Sequence, residues 1–326
     1  MRFLTKSALV LIFVPFAFPA LAQTGTPDHP PSLGEPIVIA SAGFDGPESV
    51  IHDEVDDVYL VSNIAPTMGF PNAMDNNGFI SRIYPDGTIA QLKWIAGGIN
   101  GVTLNGPKGL AIVDNVLYVS DIDNVRMFDR VTGDPLGQIP VPYVPFFTWL
   151  NDLAVGPEGD VYASDSGLGL ACLPGVDFCP SGTDAVYRIT WDNTLSVIAL
   201  DPGLQGPNGL VALGSNLFYV PIWGTRVYRL NPSGKLRLHA QLSGTFLDGI
   251  VRLTNGSLLV SSWMPPAIHW VDPTGGNVSI IEAFTIVDPG DPFVNEVPAD
   301  IGYDRTRGRL LIPFLTFNKI GIYPVE

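Results

Sequence analysis

The sequence predicts an all-β chain, a six-bladed β-propeller of four-stranded blades closed by an N-terminal strand that completes the last blade. Three observations predict it. One pattern recurs six times, in GPESVIHDEVDDVYLVSN, GPKGLAIVDNVLYVSDI, LNDLAVGPEGDVYASDS, GPNGLVALGSNLFYVPI, LDGIVRLTNGSLLVSSW and PADIGYDRTRGRLLIPF. A third apolar strand follows most copies, and a fourth follows several of those. The last copy ends after three strands at Tyr323, while an unpaired strand, PIVIAS at 36–41, precedes the first copy.

Each copy opens on small or polar residues, runs through an apolar strand, turns at Gly, Asp or Asn, and returns as a second apolar strand. The third strands are GFISRIYPDGTI, NVRMFDRVTGDPL, AVYRITWDNTL, RVYRLNPSGKL, AIHWVDPTGGN and KIGIYPVE, most of them running into a Pro, Asp or Gly turn. IAQLKWI and LRLHAQL read as fourth strands. If 36–41 supplies the missing strand of the sixth copy, the ring closes within one domain spanning 36–326. No long amphipathic helix is visible.

Before that domain, residues 1–22 read as a secretory signal peptide. Arg2 and Lys6 precede an apolar run that Pro15 and Pro19 interrupt, and Ala20-Leu21-Ala22 forms a small-residue cleavage site. Residues 23–35 read as an extended leader. The expected location is therefore the periplasm or the medium, and no membrane insertion is expected. Cleavage leaves 15 of the 17 basic residues against all 32 acidic ones. Such a balance argues against nucleic acid or an anionic membrane as partner and permits a metal ion. Cys172 and Cys179, in the Gly/Pro-rich loop ACLPGVDFCPSG, are the only cysteines and are expected to form a small disulfide-closed loop in an oxidising compartment.

LNGPKGLAIV and LQGPNGLVAL share the frame Gly-Pro-x-Gly-Leu and differ at x, which is Lys108 in one and Asn208 in the other. In a propeller the innermost strand of each blade begins at the rim of the central channel, so the x positions of all blades meet. They are Glu48, Lys108, Asn151, Asn208, Asp248 and Ala299, spaced 40 to 60 residues apart. Glu48, Asn151, Asn208 and Asp248 offer hard oxygens, a set suited to Ca²⁺, or to Mg²⁺ or Mn²⁺, and poorly suited to zinc. Each also has a plainer reading: Glu48 as a solvated acid, the other three as turn formers.

On these residues the chain resembles the SMP-30/gluconolactonase/LRE-like family, within the wider set of six-bladed propellers that includes paraoxonases and diisopropylfluorophosphatase-like enzymes. The likeness covers nearly all of the mature chain. Its most specific parts are GPES around Glu48, LND at 150–152, GPNGL around Asn208 and LDG at 247–249. The resemblance implies a catalytic calcium held by Glu48, Asn151, Asn208 and Asp248, and hydrolysis of a small lactone or ester. Lys108 departs from the histidine that the paraoxonase branch carries in the second blade. It is open to three roles: contact with substrate or a developing oxyanion, an ion pair between Glu48 and Asp248, or a base.

The ends of the second strands, Asn63, Asp121, Asp165, Trp223 and Trp263, return to the same face and are candidate pocket-lining residues. Asp121 and Asp165 read equally as turn caps, and the tryptophans as packing between blades. His52, on the first inner strand, reads as channel-lining or packed, with packing favoured, and His239 and His269 read as structural. No nucleophile elbow, P-loop or dinucleotide fingerprint is present. The expectation is a monomeric metal-dependent hydrolase of lactones or related esters, with two rivals: a non-catalytic propeller that binds a small molecule or protein, and a strictosidine-synthase-like propeller.

Overall fold

The computed structural model describes residues 29–65, 74–140, 149–169 and 179–326. The expected signal peptide, Cys172 and parts of the loops at 65–78 and 167–183 lie outside them. Six four-stranded antiparallel sheets follow one another along the chain. Their innermost strands are Pro47–Asp53, Pro107–Val113, Leu150–Val155, Pro207–Leu213, Thr245–Arg252 and Gly302–Asp304, which define blades 1 to 6. Among the described residues, no helix is long and apolar enough to cross a membrane.

The ring closes as the orphan strand predicts. Ile37–Ile39 pairs antiparallel with Lys319–Pro324, in the register Ile37 to Ile322 and Ile39 to Ile320, and becomes the outer strand of blade 6. The pairing extends upstream into the leader, where Gly34 N–H donates to Pro324 C=O at 2.9 Å and Ser32 N–H to Glu326 C=O at 3.1 Å. Both termini of the described chain are thereby tied into one sheet, which leaves no long free edge there.

The apolar core is divided into seams. One cluster joins Leu60 and Ile80 of blade 1 to Leu110 and Val119 of blade 2. Others join blades 2 and 3 through Ala111 and Leu153, 3 and 4 through Val186 and Tyr219, and 4 and 5 through Val220 and Val260. The last two join blades 5 and 6 through Trp270 and Ile312, and blades 6 and 1 through Leu311 and Val61. A blade packs on a neighbour at each face, so its strands are apolar on both sides.

The inner strands share an irregularity that positions the site. The ladder to the second strand breaks between Pro47 and Val50, Pro107 and Leu110, Leu150 and Leu153, Pro207 and Leu210, and Leu247 and Ile250. The two residues skipped are the x residue of each repeat and the one after it. The bulge bends the strand and turns the x side chain out of the regular alternation. Serines of the second strands hold the displaced backbone. Ser62 Oγ accepts from Ser49 N–H at 2.9 Å, Ser164 Oγ from Asp152 N–H at 2.9 Å and Ser261 Oγ from Gly249 N–H at 2.7 Å.

The frame around x follows from this geometry. A Cβ on Gly109 would lie 2.5 Å from Asp152 Cα in the next blade, and one on Gly209 would lie 2.3 Å from Asp248 O. Neighbouring inner strands approach too closely there for any side chain. The glycine after x in this frame is therefore a packing requirement, whereas x itself carries a buried polar side chain that differs from blade to blade.

Candidate functional site

Five bulges bring Glu48, Lys108, Asn151, Asn208 and Asp248 to the inner strands' approach to the channel, and all five are buried. Asn208 is the most constrained. Its Nδ2 donates to Leu247 O at 3.0 Å and to Asp248 Oδ1 at 2.9 Å, which leaves Oδ1 buried with no protein partner. The other oxygen of Asp248 accepts from the indole N–H of Trp263 at 2.8 Å. Asn151 Nδ2 donates to Ser166 Oγ at 3.1 Å, and the Ser166 hydroxyl donates in turn to Pro207 O at 2.7 Å. Glu48 Oε2 is likewise buried without a partner.

Two orphaned buried oxygens in one cluster are costly unless something else satisfies them. Acceptors around Asn208 and Asn151 engage the amide nitrogens, so the amide oxygens remain for a ligand. A set of carboxylate and amide oxygens in which Glu48 Oε2 and Asn208 Oδ1 meet no N–H suits a hard divalent cation. Among the described residues no trio of His, Cys, Asp or Glu side chains forms a metal centre by itself. A cation here would therefore depend on the two asparagines.

The electrostatics point the same way. Burial pushes the Glu48 carboxyl well above its usual range, and Asp248, Asp300 and Asp152 push it further against the opposing pull of Lys108. Asp248 is raised to about 7, chiefly by burial and then by Asp300. Without a cation these carboxyls tend to hold protons; a divalent ion would let them ionise.

Lys108 is 2 % exposed and makes no ion pair among the described residues, so of its three open roles the direct bridge between Glu48 and Asp248 is not formed. Its Nζ donates to Gly106 O at 3.2 Å and sits 4.9 Å from the centre of the Trp149 ring. Burial lowers its pKa, while the carboxylates of Glu48, Asp121 and Asp165 work to keep it charged.

Of the second-strand ends, Asn63, Asp121 and Asp165 are buried and anchor the loops leading into the inner strands. Asn63 Oδ1 accepts from Asp45 N–H at 3.1 Å. Asp121 Oδ1 accepts from the N–H groups of Asn105 and Gly106, both at 2.8 Å, and its Oδ2 takes Arg126 Nε at 3.0 Å. Asp165 Oδ1 accepts from Trp149 N–H at 3.0 Å and Gly167 N–H at 2.9 Å. The tryptophans lie differently. Trp263 is part of the Asp248 contact and packs edge-on against Phe293 at 5.8 Å. Trp223 is 39 % exposed and packs edge-on against Phe246 at 5.6 Å.

Sequence reasoning missed Asp152 and Asp300, which directly follow the x residues Asn151 and Ala299. Asp152 lies close enough to Asp300 for each to perturb the other, and it accepts from the N–H groups of Leu153 and Leu210, both at 2.6 Å. Asp300 Oδ2 accepts from Ser49 Oγ at 2.5 Å. Burial raises Asp152 to about 7 and Asp300 well above its usual value. These residues form a second layer beneath the x ring, tying blades 1, 3, 4 and 6 together. The signal available in the sequence was an acid next to an x residue where the other repeats carry glycine or, after Glu48, serine.

No family model and no curated protein matches the chain. Solved structures do. A protein with a provisional gluconolactonase assignment superposes with a TM-score of 0.64 at 17 % identity, covering 91 % of this chain and 94 % of its own. A gluconolactonase from Xanthomonas campestris gives 0.64 at 15 %, covering 92 % and 96 %. A streptogramin B lyase gives 0.59 at 14 %, covering 90 % and 97 %. At such identities the likeness shows the shared propeller fold.

Proposed function

We propose that the chain is an exported, divalent-cation-dependent hydrolase of lactones or related esters, of the SMP-30/gluconolactonase/LRE-like kind. The observation that carries this reading is the pair of orphaned oxygens, Glu48 Oε2 and Asn208 Oδ1, in one buried cluster with Asn151 and Asp248. Glu48, Asn151, Asn208 and Asp248 would hold the ion, Ca²⁺ first and Mg²⁺ or Mn²⁺ as alternatives. When bound, the ion supplies Lewis-acid polarisation of an ester carbonyl.

The chain's own residues do the rest. Trp263 and Asn208 fix both oxygens of Asp248, so its charge is aimed before a ligand arrives. Trp149 and Gly106 hold the Lys108 ammonium, whose remaining N–H bonds are suited to a substrate carbonyl oxygen or the oxyanion that develops from it. The Trp223–Phe246 and Trp263–Phe293 pairs offer aromatic surface to the apolar part of an ester. Residues 1–22 would direct export, and Cys172 and Cys179 would close their loop by a disulfide in the oxidising compartment reached. Of Cys179 the structure describes the backbone, paired with Gly169.

The likeness to a streptogramin B lyase supports a second reading, ring opening by elimination with Lys108 as base. One experiment separates the readings. Purified protein is assayed for bound divalent metal and then tested on sugar lactones, aryl esters, lipophilic lactones and a streptogramin B lactone, with and without EDTA. Metal-dependent release of a hydroxy acid supports the hydrolase, and an unsaturated product supports elimination. Bound metal without turnover would leave a non-catalytic binding propeller. Absence of stoichiometric metal, with activity indifferent to EDTA, would sink the cation-dependent reading.

A further inference from the structure

A cavity of about 560 Å³ opens on the channel at the far ends of the inner strands, away from the x ring. Its inner end is Asp152 and Asp300; none of Glu48, Lys108, Asn151, Asn208 or Asp248 lines it. Five blades contribute apolar wall residues, including Ile51, Ile112, Leu153, Val211 and Val251, and the sixth contributes Ile301 and Tyr303. At the mouth Val55 is 77 % exposed and Val155 is 41 % exposed. The volume falls in the range of small-molecule sites, which are concave and mostly apolar with a few polar groups.

The mouth also carries two arginines, Arg252 from blade 5 and Arg305 from the start of the hairpin in blade 6. In this acidic chain Arg82, Arg126, Arg130, Arg188 and Arg307 each hold an aspartate. Among the described residues Arg252 and Arg305 hold none, and Arg252 Nε is buried without a partner. Blades 5 and 6 are neighbours, so the two cations share one arc of the rim. Glu54 and Asp114 sit on the arc of blades 1 and 2, and the nearby Asp53 is already held by Arg130 at 2.7 Å.

We infer that this cavity binds an amphipathic organic anion, with an apolar or aromatic body in the channel and one carboxylate, sulfonate or phosphate on Arg252 and Arg305. The orientation follows from the charges. Arg252 and Arg305 hold the anionic head at the mouth, and the hydrogen bonds of Asp152 and Asp300 to Ser49, Leu153 and Leu210 leave the inner end needing no polar ligand. The apolar end therefore enters first. The site is separate from the candidate hydrolytic centre, and the inference stands without it.

The test uses a sulfonated probe, 8-anilinonaphthalene-1-sulfonate, beside its uncharged counterpart N-phenyl-1-naphthylamine, titrated by fluorescence into the intact protein. Saturable one-to-one binding of the sulfonate is expected. In Arg252→Gln/Arg305→Gln its Kd should rise about tenfold, while that of the neutral probe changes less than about twofold. Ala212→Phe, which fills the cavity, should weaken both probes, and Trp223→Ala on the other face should weaken neither. Circular dichroism confirms that each variant is folded. An equal loss for both probes in the arginine variant, a loss that follows Trp223→Ala, or no saturable binding would overturn the inference.

Discussion

Removing and restoring the cation at two pH values gives the most demanding test of the candidate centre. Asp248 is raised from 3.8 to about 7 by burial and by Asp300. At pH 8 a folded, metal-free chain must hold this carboxylate charged without a partner ion. Three pKa units correspond to about 4 kcal/mol of penalty relative to the unfolded chain. A raised folded pKa means the contribution is intact below the unfolded value and is lost as pH climbs through about 7. EDTA-treated protein should thus be more stable at pH 5.5 than this site alone would allow at pH 8.

Calcium bound at the proposed centre would reverse the dependence, because binding needs the deprotonated carboxylate. At pH 5.5 the proton on Asp248 weakens the apparent affinity about 30-fold from that group alone, and Glu48 adds to it. At one hundred times Kd, binding stabilises the fold by about 2.7 kcal/mol, or about 5 °C in Tm for a chain of this size. Differential scanning fluorimetry of EDTA-treated protein with and without CaCl₂ reads the effect. The expected shift is several degrees at pH 8 and close to nothing at pH 5.5 at the same calcium concentration. A shift equal at both pH values, or one retained in Glu48→Gln, would refute the reasoning.

Other outcomes follow from single contacts. Trp263→Phe keeps the ring but removes the N–H from Asp248 Oδ2, and calorimetry should record a loss of about tenfold in cation affinity. Lys108→Met keeps the buried volume and should lower kcat on a turned-over ester by about 10²-fold with little change in KM if the ammonium meets the oxyanion; unchanged kcat would remove it from the mechanism. Gly209→Ala forces a Cβ to 2.3 Å from Asp248 O, and denaturant unfolding should show a loss of about 3 kcal/mol or failure to fold. His269 is held neutral by burial, its pKa lowered from 6.5 to about 4. Its contribution is present above 6.5 and lost as pH falls towards 4, so unfolding curves of His269→Gln should lose about 3 kcal/mol of the wild-type decline across that window.

Much of this was legible in the residues. The repeat spacing and the unpaired strand at 36–41 predicted six blades and their closure, because alternation and turn residues are local properties that survive in one dimension. The x positions were legible for the same reason: Gly-Pro-x-Gly-Leu marks where each inner strand starts. The bulge that skips x and its successor was not visible, since it is a relation between two strands. Nor were the serines that hold it, such as Ser62 and Ser164, whose partners lie across the sheet.

The roles of Asn63, Asp121 and Asp165 show the same boundary. Sequence placed them at the right strand ends and left pocket and cap as alternatives; the three-dimensional contacts show anchors for the approach loops. Lys108 stands in the ring that the motif predicts, yet only the fold put it over Trp149 rather than between two carboxylates. Asp152 and Asp300 are 148 positions apart in the chain and meet at the inner end of one cavity. By itself the sequence determined the blades, their closure and where each inner strand begins, because these follow from local period and turn chemistry. The tertiary structure decided which buried oxygens are satisfied and which are left over, because hydrogen-bond partners and desolvation depend on what the other blades bring to the same place.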